Sequence, residues 1–241
     1  MISEQTLAKL RQYDTPTICN VIELFDVRSR TAGFMDGRIV AAFPELPPMV
    51  GFAATATFRA SAAPRQGDVY SSLDKQVERF AELSGPAVVV FQDLDSPVVA
   101  ATFGEVMCTS YQAFGAVGII TSGAGRDLDQ VRQLRLPAFT NGTICAHGYS
   151  STLQIHVPVH VGGIVVYPDD LLHGDCNGVT TIPHDIVDDL LGVADEYIAA
   201  EKIVLDAVRQ PNPSVKLLRE ARVELKARME KIRARVSRAR K

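Results

Sequence analysis

Apolar positions along the chain switch between helical spacing and short unbroken runs, and the switches mark out its elements. Ser3 is placed to cap a short first helix that stops at Tyr13-Asp14, and Thr15-Pro16 is a good pair to open a second. That second helix sets Ile18, Val21, Ile22 and Phe25 on one side. Residues 28–48 show no period and contain three prolines, so they read as loop with a short strand near 39–42. Residues 50–58 alternate apolar and small polar side chains and read as a strand. Residues 67–83, with Val69, Leu73, Val77 and Phe80 at helical spacing, read as a helix. Unbroken apolar runs at 87–91 and 117–121 fit strands covered on both faces. A short strand is expected at 98–102, with helices at 104–114 and 128–134. From Pro137 the pattern turns β-rich, with strands at 138–140, 143–147, 154–159, 164–167 and 179–182. Pro183 then opens a long helix to about residue 208, and Pro211-Asn212-Pro213 breaks it.

Helices and strands interleave, but hairpin-like segments crowd residues 138–182. The pattern therefore argues against a simple doubly wound sheet and for an α/β fold of layered β/β/α type, with N-terminal helices and a C-terminal helical extension. The expected division is one domain over residues 1–210 and a basic helical tail over 211–241. In that tail Leu218, Ala221, Leu225, Met229, Ile232, Val236 and Ala239 follow one another at steps of three and four.

Charge sharpens this division. Residues 212–241 hold 11 Lys/Arg against 3 Asp/Glu, and residues 1–211 hold the remaining 14 against 25. A basic tail raises the question of nucleic acid, but it has no aromatic residue for stacking on bases. Its apolar seam fits packing within an oligomer better, so no nucleic-acid partner is expected. No apolar run reaches the roughly 18 residues that span a bilayer, and the first residues lack the basic and apolar regions of a leader peptide. Cys19, Cys108, Cys145 and Cys176 are scattered without a C-x-x-C pair, which disfavours disulfides and a thiolate zinc site. A soluble protein of the reducing cytoplasm is expected.

Two segments carry candidate chemistry. In T-S-G-A-G-R-D, residues 121–127, a buried strand runs through a two-glycine loop into a helix, with Asp127 where an N-cap belongs. The glycines let backbone N–H groups approach an anion, and Arg126 can grip a carboxylate through two parallel hydrogen bonds. In F-G-E-V-M, residues 103–107, Glu105 sits at a loop-to-helix junction. Each segment alone reads equally well as ordinary helix capping. Together, separated by one helix and one strand, they can meet at one sheet edge and offer two carboxylates to a cation. Lys75 is the sole lysine between Lys9 and Lys202, which disfavours a Schiff base in the core. The five histidines show no metal-binding spacing. Gly174-Asp175 and Gly178 read as a structural turn before the strand at 179–182.

Four segments resemble a known family: G-E-V-M at 104–107, G-A-V-G-I-I-T-S-G-A-G-R-D at 115–127, G-G-I-V-V-Y-P-D-D at 162–170 and G-D-C-N-G-V-T-T-I-P at 174–183. They are similar to the RraA-like family, which holds 4-hydroxy-4-methyl-2-oxoglutarate aldolases together with regulator of ribonuclease E activity A. The likeness covers roughly residues 14–205. It implies a β/β/α swivelling-type domain, assembled as trimers or hexamers with sites between subunits. It further implies a divalent-metal-dependent aldolase or decarboxylase of small 2-oxo acids, using Mg²⁺ or Mn²⁺ and passing through a pyruvate enolate. Candidate substrates are 4-hydroxy-4-methyl-2-oxoglutarate, 4-carboxy-4-hydroxy-2-oxoadipate and oxaloacetate. Glu105, Arg126 and Asp127 match the family's acidic residue, twenty-residue gap and Arg-Asp pair. By that match Asp127 contacts the metal, Glu105 holds its water, Arg126 binds the 2-oxo acid, and the backbone of Gly104, Val106 and Met107 completes the pocket. A glutamate from a neighbouring C-terminal helix, Glu196 or Glu201, is also implied. The departures are Ser122, where the family usually has Asp, and Pro168-Asp169-Asp170 in place of Pro-Gly-Asp. The other role open to the family is a non-catalytic, protein-binding regulator of a ribonuclease, a type without an acid at the position of Glu105.

Overall fold

The computed structural model describes residues 2–65 and 72–238. Its contacts divide the chain into two units, Met1–Thr15 with Gly33–His184, and Pro16–Ala32 with Asp185–Lys241.

The first unit holds α1 (Glu4–Leu10), capped by Ser3, whose hydroxyl accepts the Thr6 N–H at 3.1 Å. The strands that follow are β1 (Val40–Ala41), β2 (Met49–Arg59), β3 (Ala87–Asp93), β4 (Ala101–Phe103), β5 (Gly118–Thr121), β6 (Ala124–Gly125), β7 (Ala138–Thr140), β8 (Ser151–Ile155), β9 (Val159–Val161), β10 (Ile164–Val166), β11 (Leu171–Asp175) and β12 (Gly178–Ile182). The main sheet runs β1-β7-β5-β3-β2-β11-β12, with β8 also on β2. β2, β3, β5 and β7 are parallel, so their carboxyl ends share one edge.

Alternation along β3 and β5 explains the layers. Val88, Val90 and Ile120 face Val159, Val161 and Val166 of the β9–β10 hairpin. Gly162-Gly163 turns that hairpin with both φ values positive, as a tight two-residue loop needs. Val89, Phe91 and Ile119 face the helices. These are α3 (Leu73–Glu78), α4 (Glu105–Ala113) and α5 (Leu128–Gln133), which contribute Leu73, Val77, Met107, Tyr111 and Val131. Hairpin, sheet and helices make the β/β/α order. Full burial of each such side chain contributes roughly 1.5–3 kcal/mol.

The expected helix at 67–83 is shorter where it is described, covering α3 and a 3-10 turn at Arg79–Glu82; Val69 lies outside the described residues. The strand expected at 143–147 is absent. Thr143 makes a single bridge to Gly125, and the Ala101 N–H donates to Ala146 O at 2.8 Å. β11 is an addition to the sequence reading. His173 within it is fully buried because its ring bonds the Thr15 hydroxyl at 2.9 Å and the Leu10 carbonyl at 3.2 Å.

The second unit contains α2 (Thr15–Phe25) from Pro16 onward, α6 (Val187–Val208) and α7 (Val215–Val236). Ser214 caps α7, and α7 packs against α6. Arg235 bonds both oxygens of Glu196 at 2.9 Å, and Arg238 meets Asp189 at 2.6 Å. Asp26, just past α2, takes Arg233 Nε at 2.9 Å and the Ser237 hydroxyl at 2.7 Å. Among the described residues no helix is long and apolar enough to cross a membrane.

Candidate active site

The candidate residues gather at the carboxyl edge of the parallel strands. Past β5 the chain runs through Ser122-Gly123 into β6 and then Arg126-Asp127. Past β4 it enters Gly104 and α4. β4 and β6 lie parallel, pairing Ala101 with Ala124 and Phe103 with Gly125. The Arg126 N–H donates to Phe103 O at 3.0 Å, which ties the two exits together. Gly125 permits this approach, since a Cβ there would sit 2.4 Å from the Phe103 ring.

Asp127 occupies the N-cap position of α5 in the left-handed region, at φ 53° and ψ 40°. Its side chain does not cap α5. Instead Oδ2 accepts the Glu105 N–H, the first amide of α4, at 3.1 Å. Arg126 Nε lies 3.6 Å from the same oxygen. Gly104 makes room for this arrangement, because a Cβ on it would fall 2.5 Å from Asp127 Oδ2 and 3.0 Å from Arg126 Nε. The amides of Val106 and Met107 lie in the first turn of α4, where no intrahelical acceptor reaches them and the helix end is positive. Glu105 is exposed at the start of that turn, Val106 is exposed and the Met107 side chain is buried.

A cavity of about 10 Å³, room for roughly one water, is lined by Thr102, Gly104, Met107, Arg126, His147 and Ser150 among others. Thr102, His147 and Ser150 are additions to the sequence reading. They come from β4 and from a loop more than twenty residues past Arg126, and no spacing links them to it. Cys108, one turn into α4, is buried, which pushes its thiol up to about 12 with some help from the Asp127 charge. It is therefore no thiolate nucleophile. Lys75 is exposed on α3. Glu196 is held by Arg235, and Glu201 accepts the Tyr197 hydroxyl at 2.8 Å.

Among the described residues no three His, Cys, Asp or Glu side chains stand close enough to hold a metal by themselves. The carboxylates that the two loops bring to this edge are those of Asp127 and Glu105, of which the Glu105 backbone amide is the group that meets Asp127. Both Asp127 contacts given above fall on Oδ2, so Oδ1 is the oxygen left for a ligand. One or two carboxylates with the remaining places filled by water suit Mg²⁺ and do not suit zinc.

The model of one family, described as RraA-like (Aldolase/RraA), matches residues 15–181. The chain belongs to the RraA-like family. This RraA-like chain is 32% identical over 101 residues to a protein of Halalkalibacterium halodurans named "Putative 4-hydroxy-4-methyl-2-oxoglutarate aldolase", a match over 42% of this chain and 48% of that one. It is 26% identical over 109 residues to the protein MJ0644 of Methanocaldococcus jannaschii, over 45% and 52% of the two chains. The chain thus spans about half the length of the curated relatives it matches. Among solved structures, an uncharacterized protein from Pseudomonas syringae pv. tomato shares the fold with a TM-score of 0.70 at 20% identity, over 92% of this chain and 94% of that one. Streptomyces coelicolor RraAS2, described as an unusual member of the RNase ES inhibitor RraA protein family, gives 0.65 at 22% identity, over 84% and 97%. At these identities the structures carry the RraA-like fold and nothing finer. Glu105, Arg126 and Asp127 all lie inside the family match.

Proposed function

We propose that this chain is a divalent-cation-dependent carbon–carbon lyase that cleaves or decarboxylates small 2-oxo acids, working as a homo-oligomer. The observation that carries the reading is the meeting of Asp127 Oδ2 with the first amide of α4 at 3.1 Å, beside the Arg126 guanidinium. The positive start of α4, which suits an anion, and the Asp127 carboxylate, which suits a cation, are adjacent although they come from separate loops. Relatives named as aldolases support the same class of reaction.

Arg126 offers a planar fork that matches the substrate carboxylate. The Val106 and Met107 amides, at the positive end of α4, would donate to the negative charge that grows on the 2-oxo oxygen. Asp127 and Glu105 would hold the cation, which when bound polarises the 2-oxo carbonyl as a Lewis acid. In the aldol cleavage the C4 hydroxyl gives up its proton to solvent as the C3–C4 bond breaks, and C4 departs as an aldehyde or ketone; in the decarboxylation the C4 carboxylate departs as carbon dioxide. In both, the electron pair stays on C3 and gives a pyruvate enolate. The enolate then takes a proton at C3. Lys9 and Lys75 are the lysines of the first unit, and exposed Lys75 suits no imine route.

Pyruvate release from oxaloacetate and from 4-hydroxy-4-methyl-2-oxoglutarate, with Mg²⁺ or Mn²⁺, tests the reading. Wild type is expected to release pyruvate. Arg126→Lys and Asp127→Asn are each expected to lower kcat/KM by about 10²-fold or more, with melting temperature little changed because both side chains are partly exposed. No pyruvate from either substrate with either cation would sink the proposal. The protein-binding regulator would then be the reading left standing.

A further inference from the structure

Asp93 ends β3 at the same sheet edge, and no step above uses it. Its N–H donates to the Ser122 hydroxyl at 2.9 Å, and its Oδ1 accepts the Asp95 N–H at 2.9 Å. Its Oδ2 is buried and has no hydrogen-bond partner. A Cβ on Gly123 would lie 2.3 Å from that oxygen and 2.4 Å from the Thr102 hydroxyl, so both crowd the bare Gly123 α-carbon. Around them the polar groups are paired. The Thr121 hydroxyl donates to Thr102 Oγ1 at 3.0 Å and accepts the Gly123 N–H at 2.9 Å, while Gly123 O takes the Thr140 hydroxyl at 3.0 Å. Thr102 lies on β4, three residues before Glu105. Gly123 lies between β5 and β6, three residues before Arg126.

We propose that Asp93 is a positioning residue: its carboxyl, wedged against Gly123 beside the Thr102 hydroxyl, sets the spacing between the strand that enters Glu105 and the strand that enters Arg126-Asp127. The inference rests on reading that edge as the lyase site. A buried carboxylate oxygen without a donor is costly when charged. Protonation relieves that cost, because a neutral carboxyl is cheaper to bury than a charged one. Burial pushes Asp93 up to about 6; the Asp95 amide pulls the other way and the Asp95 charge adds to the rise. Asp95 and its partner Arg59, 3.8 Å from it, are the charged groups on this side. The facing residues Thr102, Thr121, Ser122 and Gly123 are uncharged. Below about pH 6 the neutral carboxyl holds the two strands in register. Above it, a bare negative charge strains the same contact.

Two measurements on the full chain test this, and they fail independently. The first follows the backbone amide resonances of Thr102, Gly104, Gly123 and Arg126 by NMR from about pH 5 to 8. They are expected to shift together with a midpoint near 6 in wild type and to stay flat in Asp93→Asn, the isostere of the protonated acid. The second is kcat/KM for oxaloacetate with Mg²⁺ over the same range. Wild type is expected to decline above that midpoint and Asp93→Asn to show no inflection. Asp93→Ala, which removes the wedge, is expected to be about tenfold slower at every pH. Flat wild-type amides, or an inflection that survives in Asp93→Asn, would overturn the proposal. Amides that titrate in wild type but not in Asp93→Asn, in a protein inactive on every substrate, would uphold the positioning role while removing the lyase reading.

Discussion

Gly104→Ala isolates the geometry of the site from the stability of the fold. Gly104 is extended, at φ −154° and ψ −170°, a conformation that alanine adopts freely. The substitution therefore brings no backbone strain, and Ala in place of Gly at an N-cap costs only about 0.5–1 kcal/mol. Its methyl, however, would lie 2.5 Å from Asp127 Oδ2. To recover ordinary van der Waals separation of 3.4 Å, the carboxylate has to retreat by about 0.9 Å. Arg126, 3.0 Å from the methyl at Nε and 3.1 Å at Cγ, is displaced as well. A shift near 1 Å in a reacting constellation costs about 10²-fold in rate. The expected outcome is a melting temperature lowered by only a few degrees and kcat/KM for pyruvate release from oxaloacetate lowered by about two orders of magnitude. Activity within about threefold of wild type would refute the claim that Asp127 and Arg126 act from these positions. Gross unfolding would refute the claim that the crowding is confined to the site.

Two further predictions concern the scaffold. Tyr111 is fully buried and donates to Gln76 Oε1 at 2.6 Å, while Gln76 Nε2 donates to Ala54 O and so fixes α3 to β2. Tyr111→Phe leaves that acceptor buried and unpaired, and denaturant unfolding is expected to show a loss of about 1–3 kcal/mol; a change under about 0.5 kcal/mol would show that Gln76 re-pairs. In the second unit, the Ser237 hydroxyl and then Arg233 hold the Asp26 carboxyl below its usual 3.8. A lowered acid stabilises the fold above the unfolded value and loses that contribution as pH falls through the folded one. Ser237→Ala is thus expected to melt lower than wild type at pH 7 and to converge with it in acid below 3.8; a gap that persists there would refute the linkage.

How much of this was legible in the sequence depended on whether side-chain pattern or long-range pairing did the work. The runs at 87–91 and 117–121 gave the buried strands directly, because a strand covered on both faces has no polar side to hide. The β/β/α order followed from hairpin-like segments crowded after Pro137. β11 stayed hidden because Leu171–Asp175 carries His, Gly and Asp, which the core accepts through partners more than 150 residues away. The strand expected at 143–147 had the apolar content but lacked a neighbour to form a ladder with. Glu105, Arg126 and Asp127 became candidates through their spacing and the resemblance they carry. That Asp127 serves the neighbouring helix and not its own was not visible, since position alone made it an N-cap. Asp93 left no signal, because its interest lies in an oxygen with no partner and a glycine with no side chain.

The carboxylate that closes off the amino end of α4 belongs to another loop, so the helix start and the Arg126-Asp127 turn are latched to each other. If the proposed lyase reading holds, a cation would take the outer oxygen, Oδ1, and leave that latch shut. The two loops would then be locked in relation to each other before an organic acid arrives, and little ordering would remain to be done on binding.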